Sequence, residues 1–175
     1  EGAFVADRRE GEGVWIAADG TRLEGTWVAG RLSGLGVVAY PDGSRYEGAL
    51  VDDLPQGEGR ITYTDGATYE GAWVEGRIEG RGIARHADGT VYEGDFVAGQ
   101  RHGTGIYTRP DGYRYEGDWR EGRRHGTGTA TFPDGAVYRG DFVEDRREGR
   151  GTLDLPDGYR YEGSFVAGEA EGEGI

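Results

Sequence analysis

From residue 23 onward the chain alternates apolar and polar side chains with a period of two, and turn-forming residues interrupt the alternation at fixed intervals. Counted from a tyrosine slot, the pattern restarts at Leu23, Tyr46, Tyr69, Tyr92, Tyr115, Tyr138 and Tyr161, always 23 residues apart. Short runs of period two predict half-buried β-strands. A fixed period without insertions predicts an array of identical supersecondary units. Residues 1–175 read as one such array, with six complete units over 23–160 and partial units at 1–22 and 161–175.

Two turn signals divide each unit. Positions 19–21 hold Pro-Asp-Gly or a near variant, as in Pro41-Asp42-Gly43 and Pro133-Asp134-Gly135. Pro presets the first turn dihedral, Asp suits the second position and Gly supplies the left-handed residue. The expected element is a three-residue hairpin loop with a type I turn and a bulge. Position 8 holds Gly or Asp before a mostly polar residue, as in Gly30-Arg31 and Gly76-Arg77, which predicts a two-residue loop at positions 8–9. These loops pair position 5 with 12, 3 with 14 and 1 with 16 inside a unit. They also pair 16 and 14 with positions 1 and 3 of the next unit. The expected fold is an all-β, elongated, single-layer antiparallel meander of about fifteen or sixteen strands, roughly 70 Å by 30 Å.

That register places positions 1, 3, 5, 12, 14, 16 and 18 on one face. Position 5 carries Phe4, Trp27, Trp73, Phe96, Trp119, Phe142 and Phe165, with Leu50 the exception. Position 12 is always Gly, so each ring is expected to lie over bare backbone beside it. The opposite face carries mostly Glu at position 2 and Val at position 6. Arg22/Glu24, Arg45/Glu47, Arg114/Glu116 and Arg160/Glu162 are expected to form solvated pairs, worth ~0–1 kcal/mol each.

Tyr-x-Gly-x-Trp/Phe-x-x-Gly, then Gly-x-Gly and Asp-Gly, at a 23-residue period, resembles the MORN (membrane occupation and recognition nexus) repeat. Departures are local: Leu23 for Tyr, Leu50 for the ring, and Asp7, Asp53 and Asp145 for Gly. The resemblance implies a twisted open sheet of tandem β-hairpins with a groove. It further implies a scaffold that binds partner segments along the sheet, an association with phospholipids in some members, and homodimers through array ends in others.

Composition sharpens this reading. All 36 glycines fall at repeat positions 3, 8, 12, 14 and 21, so they are scaffold and not flexible filler. No apolar run approaches the ~20 residues of a membrane-spanning helix. The absence of Cys excludes disulfides, and every one of the 20 basic residues is Arg. A net charge of −13 opposes nucleic-acid backbones and disfavours anionic lipid. Residues 92–160 are nearly balanced, however, with 11 Arg against 13 Asp and Glu. Hairpin tips there gather Arg101, Arg123, Arg124, Arg146 and Arg147 into a candidate basic patch for an acidic partner or a lipid head group. A cytoplasmic or peripheral-membrane setting is favoured.

No catalytic constellation emerges, and the chain is expected to be no enzyme, with no cofactor and no metal. His102 and His125 share position 11 in adjacent units, two strands or roughly 10 Å apart, too far to share an ion. They read as surface imidazoles, and His86 as a ring on the aromatic face. The Asp at position 20 of each unit reads as turn chemistry, not a calcium ladder. An uncovered row of rings marks an interaction site. The candidate partner-binding residues are therefore Tyr46, Tyr63, Tyr69, Trp73, His86, Tyr92, Phe96, Tyr107, Tyr115, Trp119, Tyr138 and Phe142. The expected partner is a protein or peptide, and the alternatives are a membrane-surface adaptor or self-association through open sheet edges.

Overall fold

The computed structural model describes residues 2–172, and every regular element among them is a strand. Residues 1–87 form one compact unit and 88–175 a second. The first contains β1 (Gly2–Val5), β2 (Arg8–Ile16), β3 (Arg22–Val28), β4 (Arg31–Ala39), β5 (Arg45–Val51), β6 (Leu54–Thr62), β7 (Thr68–Val74) and β8 (Arg77–Arg85). The second contains β9 (Val91–Val97), β10 (Gln100–Thr108), β11 (Arg114–Arg120), β12 (Arg123–Thr131), β13 (Val137–Val143), β14 (Arg146–Asp154), β15 (Arg160–Val166) and β16 (Glu169–Glu171). Within each unit the strands follow sequence order as an open antiparallel meander.

The three-residue loops form as expected. Tyr40 N–H donates to Ser44 O at 2.9 Å and Gly43 N–H to Tyr40 O at 2.9 Å, with Gly43 left-handed at φ 91°. The Asp of each loop accepts from the N–H two residues on, as Asp42 Oδ1 does from Ser44 at 2.8 Å and Asp111 Oδ1 from Tyr113 at 2.9 Å. These backbone donors hold the Asp111 carboxyl below its usual range, and for Asp42 the Ser44 hydroxyl adds the larger share. Turn chemistry thus accounts for the Asp series.

The tight loop lies one residue earlier than expected, at positions 7–8. Both central residues are left-handed, as in Ala29 (φ 50°) and Gly30 (φ 87°), which is the requirement of a type I′ hairpin turn. The polar residue at position 9 therefore begins the returning strand. This shift pairs position 5 with 10 inside the unit, as Trp27↔Leu32 and Trp73↔Ile78. A bulge then restores the expected pairing of 3 with 14, as Gly25↔Gly36 and Gly71↔Gly82.

The bulge corrects the reading of position 12. Gly80 (φ 74°) and Gly103 (φ 55°) sit in the left-handed region there, which is why the slot demands glycine. The ring paired with position 12 belongs to the following unit, as Gly57↔Trp73 and Gly126↔Phe142. A Cβ on Gly80 would point at Ala72 Cβ, 3.4 Å away, and would touch no ring. The aromatic cover lies elsewhere: the position-1 tyrosine is folded over the glycines at positions 3 and 14. A Cβ on Gly59 would stand 2.5 Å from Tyr46 Cε2, and one on Gly128 2.5 Å from Tyr115 Cε2.

Each tyrosine hydroxyl then donates to the carbonyl three residues on, as Tyr46 to Ala49 O at 2.7 Å and Tyr115 to Asp118 O at 3.0 Å. The rings of Tyr92, Tyr115 and Tyr138 also meet the position-5 rings of their own and the next repeat edge to face. Tyr115 lies 5.2 Å from Trp119 and 5.0 Å from Phe142; Tyr138 lies 5.2 Å from Phe142 and 4.8 Å from Phe165. Such pairs contribute ~0.5–1.5 kcal/mol beyond burial. The core of each unit is this zipper of rings, closed without a second layer. On the opposite face the four expected Arg/Glu pairs all form, at 2.5–4.0 Å, and remain exposed.

Candidate binding groove on the aromatic face

The ring zipper consumes most of the expected site. Tyr46, Tyr69, Trp73, Tyr92, Phe96, Tyr115, Trp119, Tyr138 and Phe142 are all buried. Tyr63 (40% exposed), the exposed His86 and the half-buried Tyr107 retain surface. These three lie at positions 16 and 18, which flank the zipper without a glycine slot of their own.

Position 10 decides what covers the zipper. In the first unit it holds Arg9, whose Cζ lies 4.1 Å from the Trp27 centroid, then Leu32, Pro55 and Ile78, and Leu32 is fully buried. In the second unit it holds Arg101, Arg124 and Arg147, each guanidinium lying over the position-5 ring of the following repeat. Arg101 Cζ lies 4.4 Å from the Trp119 centroid, Arg124 Cζ 5.3 Å from Phe142 and Arg147 Cζ 5.3 Å from Phe165. The five arginines of the expected patch are thus divided. Arg101, Arg124 and Arg147 lie along the rings, whereas Arg123 and Arg146, at position 9, pair on the opposite face with Arg120 and Val143 at position 6. Arg123 is additionally paired with Glu144. The single basic patch expected from hairpin-tip composition does not assemble, because adjacent residues on a strand point to opposite faces.

A groove of about 490 Å³ opens among the second unit's rings, lined by Arg101, Tyr107, Arg109, Tyr113, Trp119, Arg124, Phe132 and Asp145. Trp119 and Tyr113 form its buried floor. Trp119 Nε1–H donates to Gly105 O at 3.2 Å, which locks the indole. Tyr113 lies 6.2 Å from Tyr107 and 5.7 Å from Phe132, and its hydroxyl accepts a bond from Arg124. Burial raises the Tyr113 pKa above its ordinary value, against the pull of Arg124. Arg124 Nε also meets Asp145 Oδ1 at 3.0 Å, and Arg109 meets Asp111 at 2.6 Å. Arg101 instead donates Nη2–H to Gly122 O at 2.6 Å.

Tyr113, Arg109, Arg124 and Phe132 complete this groove, and only Arg124 was expected near it, as part of the basic patch. Positions 18 and 22 pair across the three-residue loop, so their side chains share the aromatic face. That pairing was readable from the loop length. The pairing of position 10 with the position-5 ring was not, because the tight loop was placed one residue late.

His102 serves hairpin docking. Position 11 accepts from the N–H of the next unit's turn, as Gln56 Oε1 does from Glu75 at 2.9 Å and Glu148 Oε1 from Ala167 at 3.0 Å. His102 Nδ1 takes the same bond from Glu121 at 3.5 Å. Where the turn holds Asp at position 8, the bond reverses. Leu32 N–H donates to Asp53 Oδ1 at 2.7 Å and Arg124 N–H to Asp145 Oδ1 at 3.0 Å. The Asp departures at 53 and 145 are therefore alternative clasps between neighbouring hairpins. His125 precedes Asp145, and its buried Nδ1 has no partner among the described residues.

The profile of a family described as MORN repeat matches residues 1–22, 24–45, 46–68, 69–91, 92–112, 115–137, 138–158 and 161–175. A comparison with curated proteins finds no match. Among solved structures, the chain is similar to the SAS-4 (dCPAP) TCP domain of Drosophila melanogaster, in complex with a proline-rich motif of Ana2. The TM-score is 0.50 at 17% identity, over 87% of this chain and 78% of that one. A mutant of the TCP10 domain of Danio rerio CPAP aligns with a TM-score of 0.37 at 17% identity, over 87% and 82% of the two chains. At these identities the likeness concerns the fold alone.

Proposed function

The chain belongs to the MORN repeat family, and from that premise we propose that it is a non-enzymatic interaction scaffold that binds an extended segment of a partner protein on the aromatic face. The observation that carries this reading is the groove at Tyr107, Tyr113 and Phe132, the place where the second unit leaves ring surface uncovered beside guanidinium groups. Aromatic-lined grooves suit proline-rich segments, whose extended helix is preformed and loses little entropy on docking. The fold neighbour from Drosophila, itself bound to a proline-rich motif, supports a segment of this kind. Tyr63 and His86 carry the same exposed-ring chemistry in the first unit and form a secondary candidate surface.

The membrane-adaptor reading has less support, since Arg123 and Arg146 face away from Arg101, Arg124 and Arg147. A membrane surface gains ~1 kcal/mol per basic residue only when the residues approach it together.

The test is selection of a random peptide library displayed on phage against the intact chain, followed by rebinding of the selected clones to Tyr107→Ala and Glu93→Arg. The expected result is clones that lose binding with Tyr107→Ala and keep it with Glu93→Arg on the opposite face. Clones indifferent to Tyr107→Ala would remove the groove as the site.

A further inference from the structure

Resting on that reading, we propose that Arg101 makes the groove a carboxylate-selecting site: the partner segment carries a Glu or Asp, flanked by apolar or proline residues, whose carboxylate docks on the Arg101 guanidinium. Three guanidinium groups line the groove, but two are neutralised within the chain. Arg124 is paired with Asp145 at 3.0 Å and Arg109 with Asp111 at 2.6 Å. Arg101 has a backbone carbonyl, Gly122 O, and the faces of Trp119, Tyr107 and Tyr92 at 4.4, 5.3 and 5.8 Å. Among the described residues no acidic side chain comes within salt-bridge distance of it.

The contrast with Arg124 has a sequence cause. Both arginines occupy position 10, opposite position 8 of the next unit's turn. That turn residue is Asp145 opposite Arg124 and Gly122 opposite Arg101, so only Arg124 is given a counter-ion. Burial disfavours the charged form of Arg101 and lowers its pKa, with Tyr107 and the more distant Asp145 carboxylate opposing that shift. An arginine remains charged at neutral pH all the same. A half-buried guanidinium left with one neutral acceptor still has donors to offer, and a carboxylate accepts them in a planar fork.

The charge count selects the anion. One uncompensated positive charge, with the Asp145 carboxylate lining the same groove, matches a monoanion. A dianionic phosphate would need a second free guanidinium and would be repelled by Asp145. The neighbouring rings Tyr107, Tyr113 and Phe132 supply apolar contact on either side of the carboxylate. A protein segment provides both; a lipid head group does not.

The probes are two fluorescent capped peptides of one proline-rich sequence, with Glu or Gln at the centre, titrated against the intact chain, Arg101→Leu, Arg147→Leu and Tyr107→Ala. Arg101→Leu is compatible with the fold because Leu32 and Ile78 occupy the same slot in the first unit. The proposal predicts that the Glu peptide binds about tenfold more tightly than the Gln peptide, about 1.4 kcal/mol. Arg101→Leu should abolish that preference and Arg147→Leu should preserve it. Inorganic phosphate and vesicles of phosphatidylserine and phosphatidylcholine should fail to displace the Glu peptide. Equal binding of both peptides, still lost with Tyr107→Ala, overturns carboxylate selection while keeping the groove. Binding of neither, or binding indifferent to Tyr107→Ala, counts against the groove itself. Displacement by phosphate or by vesicles assigns Arg101 to a phosphate ligand and overturns the proposal.

Discussion

Residues 1–87 and 88–175 solve one packing problem with different chemistry. Both fold tyrosine over a pair of glycines, and both lay their rings edge to face. They differ in what brackets that zipper. At position 10 the first unit uses Arg9, Leu32, Pro55 and Ile78, and the second uses Arg101, Arg124, Arg147 and Ala170. At position 4, on the opposite face, the first unit has Thr26, Ala49 and Ala72 beside the bulge. The second has Asp95 and Asp118, whose Oδ2 atoms accept from Thr104 and Thr127 N–H at 3.0 and 2.8 Å. The ring–glycine zipper is therefore the part indifferent to its surroundings. The bracketing slots are free to vary, and charge reaches the ring face once in the first unit, at Arg9, and in three consecutive repeats of the second. Fold and candidate function thus occupy different repeat positions.

The largest effect should come from the shared part. Gly59→Val and Gly128→Val place a branched side chain inside Tyr46 and Tyr115 respectively, and each should cost about 3 kcal/mol or more. The two losses should be similar in urea melts, since the same ring lies over both glycines. A valine tolerated in one unit and not in the other would show that the zippers are not equivalent.

A smaller, graded effect is expected at the bulge. Gly34→Ala meets nothing within 4 Å and should cost only the left-handed strain, ~1–2 kcal/mol. Gly80→Ala adds a 3.4 Å approach to Ala72 Cβ, whereas Gly103→Ala brings its Cβ 2.7 Å from Asp95 Oδ2. Thermal melts should rank them in that order, with the second unit the less tolerant. If Gly103→Ala is the mildest of the three, the carboxylate bracket is not positioned as described.

Alkaline titration tests the zipper in both units without mutation. Burial raises Tyr46 and Tyr138 to about 12 each, from an ordinary value near 10. A group whose pKa is higher in the folded state binds its proton more tightly there. Its contribution is complete below pH ~10 and is lost as pH rises toward 12. Tyrosinate absorbance should therefore lag the unfolded chain's titration and then rise together with unfolding in that window. Tyrosines that ionise near pH 10 with the fold intact would mean open rings.

The smallest effects should come from the variable slots and the solvated face. Arg124→Leu gives a second-unit slot the chemistry that Leu32 has in the first unit. It should shift stability by about 1 kcal/mol or less, because Asp145 accepts from the position-10 N–H as Asp53 does from that of Leu32. Glu93→Arg, on an exposed face, should stay within about 0.5 kcal/mol.

The repeat length, the three-residue loops, the strand order and the solvated Arg/Glu pairs were legible because each follows from local periodicity and turn chemistry. The tight loop was displaced by one residue because Glu75 and Ala29 adopt left-handed backbone, which their side chains do not advertise. That single step paired position 10 with the position-5 ring and gave the invariant glycine at position 12 a backbone role in place of a packing one. The candidate site was legible as a face and misjudged as a set of atoms. Alternation places Tyr92 and Trp119 on the ring face, but only packing reveals that each is covered by its neighbours. Arg101 and Tyr113 emerge from the register, not from composition.

The most direct test of the account follows the four tryptophan indole N–H signals by two-dimensional NMR during titration with the Glu-centred proline peptide. Trp119 floors the groove, while Trp73 occupies the same repeat position in the first unit, paired with Ile78 across the strands. The account predicts that the Trp119 signal and the Tyr107 and Tyr113 amides shift with saturation, and that Trp27 and Trp73 stay in place. A saturable shift of Trp73, or of the Glu93 and Glu116 amides on the opposite face, with Trp119 unmoved would contradict it.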